Sequence, residues 1–138
     1  MRAFTVYQPY AYAIVAGLKP HETRSRRTNI RGRVAVHAGK ANLNRATKGI
    51  SCDGFWELLA AVGAKTNLPL GAVVGTVEIV DCVPVEDVVG GLTPREKALG
   101  DYSPGRWAWV LKNPVMFDMP IPKCGKQGWW NWEGGNEA

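Results

Sequence analysis

Short runs of β-branched and aromatic residues, several of them alternating with polar positions, are spread along the chain and separated by Gly and Pro. Ala3 to Tyr7 (AFTVY) predicts a strand that ends at Gln8-Pro9. Pro9 can open a helix, and YAYAIVAG predicts one that stops at Gly17. KPHETR, residues 19 to 24, predicts an extended or turning segment, because Pro20 cannot continue a helix from Lys19. RVAVHA at 33 to 38 alternates as a strand should, and that alternation sets His37 on the face opposite Val36 as a half-buried residue. Residues 39 to 51 are polar and loop-like, after which Asp53 and FWELLAAVGA predict a capped amphipathic helix. AVVGTVEIVDCVPV, residues 72 to 85, is the longest apolar run and predicts the central strand, with Gly75 a candidate bulge.

In the second half, Thr93-Pro94-Arg95-Glu96 has the pattern of a capping box at the start of a short helix. GDYSPG closes it as a turn, and RWAWVLKNP at 106 to 114 predicts another strand. GWWNW near the end predicts a one-turn helix or loop. Four or five strands with scattered short helices and no regular strand–helix alternation define an α+β protein built on a small curved or closed sheet.

Composition narrows the class. The 138 residues fit one domain, which we expect to span 1–138, and 46% hydrophobic with 21% charged residues is a globular balance. Three widely spaced cysteines, Cys52, Cys82 and Cys124, suggest neither a disulfide framework nor a zinc site, so a reducing cytoplasm is the expected setting. With only His21 and His37 and no second ligand at a useful spacing, no metal is expected. No run is long enough to span a membrane, and the N-terminus lacks the apolar stretch of a signal peptide. Nucleophile-elbow, phosphate-loop and dinucleotide fingerprints are missing, so no cofactor is expected. A net charge of +5 favours an anionic partner.

Five arginines concentrate that charge in RSRRTNIRGR, residues 24 to 33. Just before it, Lys19, Glu22 and Arg24 fall within six residues. If the segment is extended, Glu22 and Arg24 share a face and Lys19 takes the other, unless a turn at Pro20 brings it round. Such a trio can bind a base and its phosphate, since arginine forks onto phosphate oxygens and glutamate accepts from an exocyclic amine. Alternatively, a partly desolvated Lys19 can act as a base, or Glu22 and Arg24 simply pair to hold a strand end. Tyr102, Ser103 and Arg106 lie on a glycine-bracketed turn whose backbone N–H groups can receive a phosphate. Trp129, Trp130 and Trp132 either stack bases or fill the end of a small barrel, and we favour the second.

The ordered set VYQPYAYAIVAGLKPHETR, IRGRVAVHAGK, GAVVGTVEIVDC and the block from GDYSPGRWAWVLKNP to GWWNW resembles the ASCH domain family of the PUA-like superfamily over nearly the whole chain. The resemblance implies a small PUA-like β-barrel of about five or six strands with flanking short helices, and a basic cleft for RNA or a nucleotide-like ligand. Lys19, Glu22 and Arg24 fall on the family's lysine, glutamate and arginine motif. Some relatives are amidohydrolases of acetylated cytidine that carry a threonine where this chain has Glu22, so the chain departs from that catalytic pattern. We therefore expect binding of RNA or a modified nucleotide, single-stranded nucleic acid included, by Lys19, Glu22, Arg24, Tyr102, Ser103 and Arg106. Arg26, Arg27 and Arg31 are expected to follow the phosphate backbone. A metal-independent hydrolase using Lys19 and Glu22 in the same cleft is the alternative, and a protein-interaction module using the tryptophan tail is a second one.

Overall fold

A computed structural model of the chain describes residues 1–40 and 68–134. The helix expected after Asp53, and most of the polar stretch before it, lie outside the described residues. Six strands form one sheet: β1 (Arg2–Val6), β2 (His21–Arg24), β3 (Gly32–Ala38), β4 (Ala72–Pro84), β5 (Trp107–Pro122) and β6 (Trp130–Asn131). Helix α1 (Tyr10–Val15) follows β1, and α2 (Pro94–Ala98) precedes β5. The spatial order is β2-β5-β4-β3-β1-β6, with β1 and β3 parallel and every other neighbouring pair antiparallel. The protein is thus α+β, with a mixed sheet.

The sheet is strongly curled. β1 and β2 are four strand spacings apart, about 19 Å if the sheet were flat. Yet Arg24 Nη2 of β2 donates to the Thr5 carbonyl of β1 at 2.9 Å. Phe4 of β1 likewise meets Trp109 of β5 edge-on, with ring centroids 5.9 Å apart. The two outer strands, β2 and β6, share no ladder, so the sheet is not closed by backbone pairing. Side chains bridge the gap instead.

Curling places apolar side chains on the inside. Phe4, Val34, Val36, Val77, Ile79 and Trp109 form the main core, and α1 covers it with Ala11, Ile14 and Val15. A smaller cluster on the other face gathers Ala3, Ala35, Val73, Trp130 and Trp132. This is why the middle of GWWNW, Trp130–Asn131, is a short strand within the loop expected there. Trp130 pairs with Ala3 as β6, and its indole and that of Trp132 are 5% and 4% exposed, so their area is spent on packing.

One difference from the sequence pattern has a simple cause. β5 runs on through Pro114 and Pro120 to Pro122, well beyond the expected end at 114. Prolines are tolerated there because β2 covers only residues 107 to 110 of β5, leaving the rest of that edge without a ladder partner that needs its N–H groups. Lys19 to Arg24 resolves into a turn followed by a strand. Gly17, at φ +80°, ends α1 and lets Leu18 N and Lys19 N both donate to the Ala13 carbonyl, at 2.9 and 3.0 Å. That turn delivers Lys19 and β2 beneath the helix.

The candidate bulge at Gly75 coincides with a real irregularity. Val36 pairs with Gly75 and His37 with Val73, which leaves Val74 as the extra residue. A Cβ at Gly75 would lie 2.1 Å from the Val115 carbonyl oxygen and 2.8 Å from Val15 Cγ1. Backbone cannot yield as a flexible side chain does, so Gly75→Ala is expected to destabilise the protein by about 3 kcal/mol. Urea unfolding should show a lower midpoint at an unchanged slope.

Candidate nucleotide-binding site

The pattern of β2 decides which side chains enter the interior. Glu22 is 6% exposed, and its carboxylate is held from two sides. Arg24 Nε donates to Glu22 Oε2 at 2.7 Å, and Nη2 lies at the same distance from that oxygen. Lys19 Nζ stands 3.8 Å from Glu22 Oε1. Arg24 then continues outward, its guanidinium lying over the rings of Trp109 and Phe4 at 5.5 and 5.8 Å. An aromatic shelf of this kind holds the planar cation while one edge remains available. Lys19, Glu22 and Arg24 are therefore brought together.

Lys19 is only 4% exposed and also donates to the Leu99 carbonyl. Burial lowers its pKa to about 8; Glu22 pulls it up, while Arg24 and Arg106 push it further down. Beside it, His21 Nδ1 is 3.0 Å from the Tyr102 hydroxyl. Burial, with help from Glu96 and Glu22, pushes the Tyr102 pKa far up, so the phenol that hydrogen-bonds with His21 Nδ1 keeps its proton. Burial also lowers the His21 pKa. Tyr102 thus faces the edge of β2 and serves as a brace.

The 101 to 106 turn is anchored to the same strand. Arg106 Nη2 donates to the Thr23 carbonyl at 3.0 Å and Nε to the Asp101 carbonyl at 3.1 Å, while Asp101 N donates to Thr23 Oγ1 at 3.2 Å. Its donors are already engaged by carboxylates: Ser103 N and Oγ go to Asp101 Oδ1 at 3.1 and 2.6 Å, and Gly105 N to Glu86 Oε1 at 3.1 Å. The bonds from Ser103 hold the Asp101 pKa below its ordinary value.

The remaining arginines divide. Arg26 is exposed, and its carbonyl accepts from Trp109 Nε1 at 3.2 Å. Arg27 lies over the Trp107 ring at 5.9 Å. Arg31 folds onto its own loop, donating to the Thr28 and Ile30 carbonyls at 3.0 Å each, with Asp81 3.8 Å away. Arg33 is spent elsewhere, on Thr76 Oγ1 and the Asn113 carbonyl.

Arg24 also enters the wall of a cavity of about 720 Å³, lined by Thr5, Tyr7, Arg24, His37, Lys40 and residues 124–128. Among the described residues, Arg24, Lys40 and Lys126 give this wall three cations and no carboxylate. Segment 123–128 is fixed against the sheet by His37. His37 Nε2 is 2.6 Å from the Lys123 carbonyl, which can only accept, so Nε2 carries a proton. Its Nδ1 faces Thr5 Oγ1 at 3.2 Å, and that hydroxyl is also 3.2 Å from the Lys126 carbonyl. Gly125 lies so close that a Cβ would meet His37 ring atoms at 2.5 Å. The sequence reading had assigned no ligand contact to Tyr7, Lys40 or this segment. The one available signal was KCGKQG at 123 to 128, where lysines alternate with glycines as they do in few core elements.

The curled mixed sheet with one short covering helix is a small α+β fold, and comparison with known families gives its class. The chain belongs to the ASCH domain family, whose model it matches over residues 4–121. Its fold is similar to that of the crystal structure of ASCH from Zymomonas mobilis, with TM-score 0.53 and 16% identity over 88% of this chain and 72% of that one. Structures of two point mutants of the Zymomonas mobilis protein give TM-scores of 0.53 and 0.50 at 16% and 18% identity, each again covering 88% of this chain, and 74% and 72% of theirs. No curated protein matches the chain. Among the described residues, no helix is long and apolar enough to cross a membrane, and no group of three His, Cys, Asp or Glu converges to hold a metal.

Because the folded pKa of Lys19, about 8, lies below its ordinary 10.5, the unfolded chain binds more protons than the folded one between those values. Folding stability contributed by this residue therefore rises with pH across that window. Relative to Lys19→Met, the wild-type unfolding free energy is expected to increase from pH 7 to pH 10. Parallel pH profiles for the two proteins would contradict burial as the cause.

Proposed function

We propose that this protein binds RNA or a modified nucleotide in the basic cleft formed where the curled, barrel-like sheet brings β2 against β1. The observation that carries this reading is the position of Arg24. One side of its guanidinium neutralises buried Glu22, and the residue also belongs to a cavity wall that, among the described residues, has two further cations and no acid. A polyanion gains from such a wall through charge-assisted hydrogen bonds and counterion release. Family membership supports a nucleic-acid-type partner.

Within this reading Lys19 and Glu22 hold Arg24 in place from inside, and Arg106 fastens the 101 to 106 turn, with Tyr102 and Ser103, to β2. Arg26 and Arg27 extend the basic surface along the loop that follows β2. Arg31 contributes less, since carbonyls of its own loop hold its guanidinium.

A second reading, a metal-independent hydrolase acting on RNA or a nucleoside, is favoured by one observation. Lys19, with a pKa of about 8, stands beside Glu22, and a fraction of it is a neutral base near physiological pH. A ribonuclease would need no protein nucleophile, because the RNA hydroxyl itself attacks and a cation stabilises the developing charge. Against this, Lys19 is committed to Leu99 and Glu22 and does not line the cavity.

Arg24→Ala is expected to weaken RNA binding at least tenfold, a loss of about 1.4 kcal/mol or more, in a titration at low salt. Replacing Arg26 and Arg27 together should flatten the dependence of log K on log salt by about 1.4 for a single strand. An unchanged slope would remove those two residues from the interface. Incubation with RNA oligomers and acylated cytidines separates the two readings: turnover abolished by Lys19→Ala supports the hydrolase, and binding without turnover supports the binding domain.

A further inference from the structure

We infer that the cavity beside Arg24 receives the terminal phosphate monoester of a nucleotide, with Lys40 and Lys126 matching its charge. This rests on the nucleotide-binding reading and goes beyond it by stating which part of the ligand enters the cavity. Of the three cations in the wall, Arg24 is already compensated by Glu22 at 2.7 Å. Lys40 and Lys126 are exposed, and neither has an ion-pair partner among the described residues. Among the described residues, two uncompensated positive charges therefore remain at one opening.

An internal phosphodiester carries a single charge, whereas a terminal monoester carries between about 1.5 and 2 near neutral pH and has three acceptor oxygens. The monoester is the better electrostatic match. It is also the better match to Arg24, whose aromatic shelf leaves the planar cation able to bridge Glu22 and a phosphate oxygen. The cavity, about 720 Å³, falls within the range of small-ligand sites and suits one or two nucleotides rather than a duplex.

Two details order the site before any ligand arrives. His37 and Thr5 engage the carbonyls of Lys123 and Lys126, which pins segment 123–128 and holds the Lys126 backbone over the sheet. Tyr7, 43% exposed at the rim, has its ring against Gly39, where a Cβ would come within 3.0 Å of Cδ1. Glycine there lets the ring lie close to the chain, in position to stack on the base attached to the phosphate.

The test uses the full-length protein and short single-stranded RNA oligomers of one sequence with a 5′-phosphate, a 3′-phosphate or hydroxyls at both ends. Nucleoside monophosphates and their parent nucleosides serve as competitors. One of the phosphorylated oligomers is expected to bind at least about tenfold more tightly than the hydroxyl-ended one. The double variant Lys40→Ala/Lys126→Ala should bind all three equally, with circular dichroism and the unfolding midpoint confirming that it folds. Competition by a monophosphate but not by its nucleoside supports the inference, and if monophosphates bind while no oligomer does, a free nucleotide is the ligand rather than a strand end. Equal affinity for phosphorylated and hydroxyl ends overturns the inference and leaves nucleotide binding standing. Failure of every oligomer and every monophosphate to bind overturns both.

Discussion

A carboxylate buried inside a small apolar sheet is the constraint on which the rest of this structure depends. Leaving a buried charge without its partner costs about 3 to 5 kcal/mol, a large share of the stability of a domain this size. Glu22 meets that demand with Arg24 two residues on and Lys19 three residues back. Both cations must therefore be delivered to the same point, which requires α1 to end sharply at Gly17 and β2 to start at once. The same arginine reaches across to the Thr5 carbonyl, so neutralising Glu22 also laces β2 to β1 where no backbone ladder does. Charge pairing and curvature are one arrangement.

From that arrangement follows the division of the basic surface. On the side of the 101 to 106 turn, donors are answered by internal acceptors: Ser103 by Asp101, Gly105 by Glu86, and Arg106 Nε and Nη2 by the Asp101 and Thr23 carbonyls. Tyr102 is tied to His21. This side is built for rigidity. On the side of β1 and β3, the described residues of the cavity wall hold cations without acids, and the covering segment is fixed by backbone carbonyls rather than by its lysines. Positive charge left uncompensated costs little at an exposed rim, and it is what an anionic ligand needs.

Much of the fold was legible along the chain, for reasons that are local. β1, β3 and β4 were readable because β-branched and aromatic runs pack well on a pleated surface whatever their neighbours. α2 was readable from Thr93 and Glu96, whose reciprocal capping bonds involve residues three apart. The length of β5 was not, because whether Pro114 and Pro120 interrupt a strand depends on which strand lies beside them. β6 was hidden as well: Trp130 and Asn131 are a strand only because β1 offers its edge.

The candidate site divides along the same line. Lys19, Glu22 and Arg24 are close in sequence, and a single turn suffices to bring them together, so their association followed from spacing and residue type. The cavity did not. Tyr7, His37, Lys40 and Lys126 come from β1, β3 and the tail, separated by up to about a hundred and twenty positions, and only the curl of the sheet and the bonds from His37 and Thr5 make them neighbours. By itself the sequence determined most of the element types, the charge excess and the nearness of the Lys19, Glu22 and Arg24 trio, since these rest on local sterics and short-range pairing. The tertiary structure alone decided which cations stay unpaired, because compensation depends on distances between segments that no local rule relates.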